Sequence, residues 1–145
     1  MQFLLLNGPN LNLLGTRQPL IYGADTLDEI VGRVQARASE HGATILSLQS
    51  NHEGALIDRL HARDFDVAIV NAGGLTHTSI ALRDALLAVQ RPFVEVHLSD
   101  PSRREAFRHV NFLHDIAVES IVGQGARGYH LALESIARRV GVDGG

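Results

Sequence analysis

Asp66-Val67-Ala68-Ile69-Val70-Asn71-Ala72-Gly73-Gly74-Leu75-Thr76-His77-Thr78-Ser79-Ile80-Ala81-Leu82 reads as a strand, a glycine turn and the opening of a helix. The run from Asp66 to Asn71 shows no in-and-out alternation, as expected of a strand covered on both faces. Ile80, Leu82, Leu86, Leu87 and Val89 then recur at helical spacing until Pro92 forbids continuation. The same unit repeats outward in both directions. Upstream lie a strand from Gln2 to Asn7, a long loop, a capping box Thr26-Leu27-Asp28-Glu29 opening a helix with Ile30 and Val34 on one face and Gly42 past its end, a strand from Ala43 to Gln49, and a helix from Glu53 to Arg63. Downstream lie a strand from Phe93 to Leu98, a broken helical stretch with Arg104 and Arg108, a strand from Ile116 to Val122, and a helix from Tyr129 to Val140.

Strands alternating with helices predict βαβ units around a parallel sheet. Five strands in this length predict an α/β fold of flavodoxin-like type, a three-layer sandwich with a five-stranded parallel sheet of order 2-1-3-4-5. The chain reverses direction between strands one and three in that order, so the loops after strands one, three and four should face the ligand site.

Composition bounds the function. The 145 residues suit one domain, expected over 1-145, with 45% hydrophobic and 20% charged residues as in an ordinary globular protein. A net charge of −3 leaves no electrostatic footprint for nucleic acid or an anionic membrane. Cysteine is absent, which removes disulfides, thiolate nucleophiles and thiolate metal sites. All 13 basic residues are arginine, so a lysine Schiff base and the P-loop lysine are excluded. The N-terminus has no basic segment and too short an apolar run for a signal peptide or membrane span, and a cytoplasmic location is expected.

Three loops carry polar chemistry. The first, Asn7 to Gly23, is roughly seventeen residues long, a size typical of lids and binding loops. Gly8, Pro9 and Gly15 are read as backbone residues. Arg17 and Tyr22 are read as functional: a phenol ionises near ~10, and a nearby guanidinium favours the phenolate a tyrosine base needs. The second, Asn71 to Ser79, joins two glycines to a helix N-terminus able to hold an anion, although Thr78 or Ser79 also suit an N-cap and His77 suits a solvated loop. The third follows Glu95-Val96-His97-Leu98-Ser99-Asp100. Alternation puts Glu95 and His97 on one face, with His97 at the strand's carboxyl end, where it is suited to acid–base work and a buried Glu95 would orient its ring.

Other patterns are set aside. Ser99, His97 and Asp100 are too close along one strand for a nucleophile triad. Gly123-Gln124-Gly125-Ala126-Arg127-Gly128 matches a dinucleotide fingerprint, but no strand follows it, and a tight turn with close helix packing is the better reading. His52-Glu53 lacks the second histidine of a zincin because position 56 is Leu56, and no metal is expected.

Together, Asn7-Gly8-Pro9-Asn10-Leu11-Asn12, Tyr22-Gly23, Gln49-Ser50-Asn51-His52-Glu53-Gly54, Asn71 through Ser79 and Glu95-Val96-His97-Leu98-Ser99 resemble type II 3-dehydroquinate dehydratase over nearly the whole chain. The resemblance implies a cofactor-free anti elimination of water from 3-dehydroquinate, through an enolate, to 3-dehydroshikimate, a dehydration shared by aromatic biosynthesis and quinate breakdown. It implies Tyr22 as base, Arg17 keeping it ionised, Asn10 stabilising the enolate oxygen through water, and His97 protonating the departing hydroxyl. Asn71, His77, Arg108 and the backbone at Leu98 and Ser99 would hold the substrate, while Asp84 would reach a neighbouring subunit's site. It also implies a homododecamer, a tetramer of trimers.

The chain departs from the family pattern at Asp100, where Asn is common, and at Val110-Asn111-Phe112, where His-Ser-Tyr is common. Asp100 is expected either to weaken binding of a carboxylate substrate or to face away from it. The alternative class is a non-enzymatic flavodoxin-like receptor or ligand-binding module. Asn7 stands where a receiver needs an acidic residue, and the first loop has only Thr16 as an aliphatic hydroxyl for a flavin phosphate.

Overall fold

The computed structural model describes residues 1–16, 18, 20 and 24–140. Tyr22 and Arg17 of the first loop lie outside the described residues. Five strands, β1 (Gln2–Asn7), β2 (Thr44–Gln49), β3 (Val67–Asn71), β4 (Phe93–His97) and β5 (Glu119–Val122), form one parallel sheet of order β2-β1-β3-β4-β5. Among the described residues, four α-helices, α1 (Leu27–Glu40), α2 (Glu53–His61), α3 (Ile80–Val89) and α4 (Arg127–Val140), connect or follow the strands.

Side-chain alternation divides the core in two. Phe3 and Leu5 of β1, Val67 and Ile69 of β3, and Val94 and Val96 of β4 pack with Ile30 and Val34 of α1 and with Leu133 and Ile136 of α4. Leu4, Leu6, Ala68 and Val70 face the other way, against Leu56 and Leu60 of α2 and Leu82, Leu86 and Val89 of α3. The expected three layers are therefore present, and the sheet's unbroken apolar runs reflect its burial on both faces.

The helix boundaries follow from capping. At α1, Thr26 Oγ1 accepts from Glu29 N (3.2 Å) and donates to the Glu29 carboxylate (3.1 Å), so the glutamate reaches the Thr26 hydroxyl instead of the backbone N–H of a complete capping box. At its other end Gly42, with φ +75°, lets Ala43 N reach the Ala38 carbonyl at 2.9 Å. α2 stops at His61, two residues short of expectation, because Arg63 adopts φ +52° and its N–H turns back to Leu60 O. α4 begins two residues earlier than expected, at Arg127.

β5 is shorter than the sequence suggests. Ile116 and Ala117 donate to Leu113 O in a turn, and pairing with β4 runs only from Glu119 to Val122. The broken helical stretch is two 3-10 turns, Pro101–Arg103 and Ala106–Arg108. Another 3-10 turn, Leu11–Leu13, interrupts the first loop. Among the described residues, no helix is long and apolar enough to cross a membrane.

Candidate active site

The carboxyl ends of β1, β3 and β4 come together because their loops are laced by backbone bonds. Gly8 N donates to Asn71 O at 2.8 Å, and a Cβ at Gly8 would lie 2.4 Å from the Ala72 carbonyl oxygen, so only glycine fits. Gly73, at φ +59°, meets Pro9 O from the other side. Gln49 Nε2 donates to Gly8 O and to Asn51 Oδ1, which also accepts from Asn10 N at 2.9 Å. Asn10 is thereby held in the left-handed region, φ 71°.

Beneath this, Asn71 is buried with its amide fixed. Its Oδ1 accepts from Gly73 N at 3.2 Å, and its Nδ2 donates to the Tyr129 hydroxyl at 2.9 Å, which in turn donates to Asn7 Oδ1 at 2.5 Å. Burial pushes the Tyr129 phenol far above its ordinary value, so it stays a neutral donor. Asn7 Nδ2 and Thr76 Oγ1 are buried without a hydrogen-bond partner.

Glu95 and His97 share a face of β4, as alternation requires. His97 Nε2 lies 2.8 Å from Glu95 Oε2, to which Asn111 Nδ2 also donates (2.7 Å), while Ser120 Oγ donates to Oε1 at 2.6 Å. Burial opposes charge on Glu95, but the His97 bond and charge, then Ser120 and Asn111, outweigh it and hold the carboxyl below its usual range. An ionised carboxylate only accepts, so His97 carries a proton on Nε2, leaving Nδ1 as the nitrogen whose protonation can change.

The glycine turn before α4 braces the loop that follows His97. Gly123 N lies 3.2 Å from both His97 O and Ser99 O, and Gly125 N donates to Leu98 O at 3.0 Å. A Cβ at Gly128 would lie 3.3 Å from Val96 Cγ1, in keeping with close helix–strand packing.

One cleft of about 190 Å³ gathers Asn10, Asn71, His77, His97, Leu98, Ser99 and Arg108, with Pro9, Leu11, Gly73, Gly74, Pro101 and Arg104 completing its wall. Seven of the residues named from the sequence therefore meet. Asp84 does not: it is exposed on α3, away from this cleft. His77 is bonded through Nδ1 to Val110 O at 2.6 Å, and its ring stacks near that of His97 at 6.4 Å between centroids. Desolvation lowers the His77 pKa against the opposing bond to Val110 O, with the His97 and Arg108 charges adding to the lowering and the Glu95 charge opposing it. The start of α3 is less open to an anion than expected, because Ser79 Oγ accepts from Leu82 N at 2.8 Å.

Glu95 was visible in the sequence as a partner for His97, but Arg104 was given no site role there. Its Nη1 lies 3.4 Å from Ser99 Oγ, and with Arg108, held by Glu105 at 2.6 Å, it gives the cleft two guanidiniums. Asp100 does not line this cleft. Its carboxylate accepts from Ser102 N (3.0 Å) and Ser102 Oγ (2.7 Å), bonds that lower its pKa, so the departure at position 100 turns its charge toward Ser102 and out of the cleft. The arrangement offers an imidazole backed by an anion, polar amides in the same cleft, and cations for a carboxylate. Among the described residues, no three of His, Asp and Glu are grouped to hold a metal ion.

A model of the class II dehydroquinase family matches residues 1–137. A 3-dehydroquinate dehydratase of Pseudomonas aeruginosa is 58% identical over 135 residues, covering 91% of this chain and 92% of that one. A catabolic 3-dehydroquinase of Pyricularia oryzae is 54% identical over 141 residues, covering 94% and 90%. The crystal structure of type II dehydroquinase from Butyrivibrio crossotus superposes with a TM-score of 0.91 at 38% identity, covering 94% of this chain and 97% of that one.

Proposed function

The chain belongs to the class II dehydroquinase family, and we propose that it is a 3-dehydroquinate dehydratase, a hydro-lyase that converts 3-dehydroquinate to 3-dehydroshikimate by anti elimination without a cofactor. Tyr22, as phenolate beside Arg17, removes a proton from the carbon next to the ketone. The electron pair moves into an enolate whose oxygen is stabilised from Asn10 through water. Collapse of the enolate expels the hydroxyl, and His97 gives it a proton from Nδ1, so one water leaves and the conjugated enone remains. Asn71, His77, the backbone at Leu98 and Ser99, and Arg108 hold the substrate's hydroxyls and carboxylate.

The observation that carries this reading is the His97–Glu95 pair, whose His97 lines one cleft with Asn10, Asn71, Arg104 and Arg108. The buried carboxylate holds the imidazole ring by Nε2 and leaves Nδ1 for the proton transfer, and general acids contribute about 10²- to 10⁴-fold to a rate. The family's reaction is the dehydration step of the shikimate pathway, and the chain's relatives bear both unqualified and catabolic names.

We assign the chain one catalytic domain over 1–145, a cytoplasmic location and assembly as a homododecamer, a tetramer of trimers. Assembly is supported by Ile80 (57% exposed) and Leu87 (49% exposed), which flank exposed Asp84 at helical spacing on α3. Asp84 then completes a neighbour's site. The test is enone absorbance on mixing protein with 3-dehydroquinate without added cofactor: a rise supports the elimination, and no rise refutes the assignment.

A further inference from the structure

Parallel pairing of β4 with β5 sets Ser120 beside Glu95, on an element the proposed mechanism does not use. Ser120 Oγ has one proton and gives it to Glu95 Oε1 at 2.6 Å, so towards His114 Nδ1, 2.9 Å away, it can only accept. His114 therefore carries its proton on Nδ1. Its side chain is 70% exposed, and Nδ1 lies 3.8 Å from Glu95 Oε1. A continuous hydrogen-bonded line thus runs from His97 through Glu95 and Ser120 to a histidine in solvent, and a second cleft opens along it, lined by Glu95, His97, Asn111, His114 and Ser120 among others.

We propose that Ser120 and His114 are positioning residues that govern, through Glu95, how readily His97 releases its proton, making turnover responsive to protonation at the surface. The inference rests on His97 being the acid of the proposed dehydration. A donor on Oε1 withdraws negative charge from Oε2, the oxygen that holds the His97 ring, and so loosens the carboxylate's grip on the imidazolium. A protonated His114 adds positive charge near the same oxygen. Asn111 acts differently, since it shares Oε2 with His97 and fixes the carboxylate in place. The other charged or titratable groups facing the pair are His77, stacked on His97, Arg104 and Arg108 in the substrate cleft, and Asp100 and His109 in the second cleft.

Ser120→Ala and His114→Ala are compared with wild type in two ways: the ring titration of His97 by NMR in ligand-free protein, and the high-pH limb of kcat. Losing one donor to a carboxylate is expected to move both upward by about half to one pH unit in Ser120→Ala. His114→Ala moves them in the same direction but less, and less again on a Ser120→Ala background, where only its charge near Glu95 Oε1 remains to be lost, and Ser120→Thr, which keeps the hydroxyl, restores wild-type behaviour. An unmoved His97 titration in the single variants overturns the inference, as do fully additive shifts or a fall in Tm with the titration unchanged. If Ser120→Ala does not fold, His114→Ala decides the matter, its side chain being exposed. The NMR readout needs no turnover, so a protein inactive on 3-dehydroquinate refutes the proposed function while the titration still judges the coupling.

Discussion

Glu95 is the residue on which most of the site's chemistry converges: a wholly buried carboxylate with donors on both oxygens. Its folded pKa is depressed, so the stability it confers is present above the unfolded value of about 4.3 and is lost as pH falls through the lower, folded value. Glu95→Gln, which cannot ionise, should therefore show a flatter fall of the urea midpoint below about pH 4.3 than wild type. Tyr129 is the second such residue. Tyr129→Phe leaves Asn7 Oδ1 and Asn71 Nδ2 without their buried partner and should cost about 1–3 kcal/mol in urea unfolding. The Glu95–His97 pair was legible in the sequence because a strand's period of two needs no tertiary knowledge. The bonds from Asn111 and Ser120 were not, because they depend on the register of β5 and on the turn at 111–114. The aspect of Asp100 was left open between two readings, and its bonds to Ser102 decide it.

At the level of elements, the glycines separate into those that seat the loops and those that only weaken a helix. Gly8→Ala drives a Cβ into the Ala72 carbonyl where β1 and β3 end, and should cost at least about 2 kcal/mol by urea titration. Gly32, within α1, has open space where a Cβ would stand, with nothing beyond its chain neighbours and the helix's own backbone within 4 Å, so Gly32→Ala should stabilise by about 0.5–1 kcal/mol in the same assay. Strands β1, β3 and β4 were legible from their apolar runs and the breaks that bound them. β5 was overextended because Ile116 and Ala117 are apolar yet belong to a turn, where burial against the sheet's second face supplies the same sequence signal as a strand. The glycine turn at 123–128 carried a misleading resemblance to a nucleotide loop, and its amides are occupied by the carbonyls of residues 97–99.

Across the whole molecule, the strand order brings three loops to one cleft, and Ile80, Asp84 and Leu87 form an exposed face of α3 away from it, the face that the proposed assembly would cover. Light scattering should give the mass of a dodecamer, and Asp84→Ala should lower kcat/KM while leaving the helical content of the isolated chain unchanged. A monomer of full activity would contradict that assembly. The strand order was legible as the simplest doubly wound arrangement of five strands, whereas nothing in the spacing of residues conveys which outer faces meet. The most direct test of the acid–base chemistry is enone absorbance from 3-dehydroquinate with wild type, Tyr22→Phe and His97→Ala, each first shown to be folded. The predicted result is a steady rise in wild type and a rate at least about 100-fold lower in either variant. Wild-type rates in either folded variant would contradict the assignment of Tyr22 as base and His97 as acid.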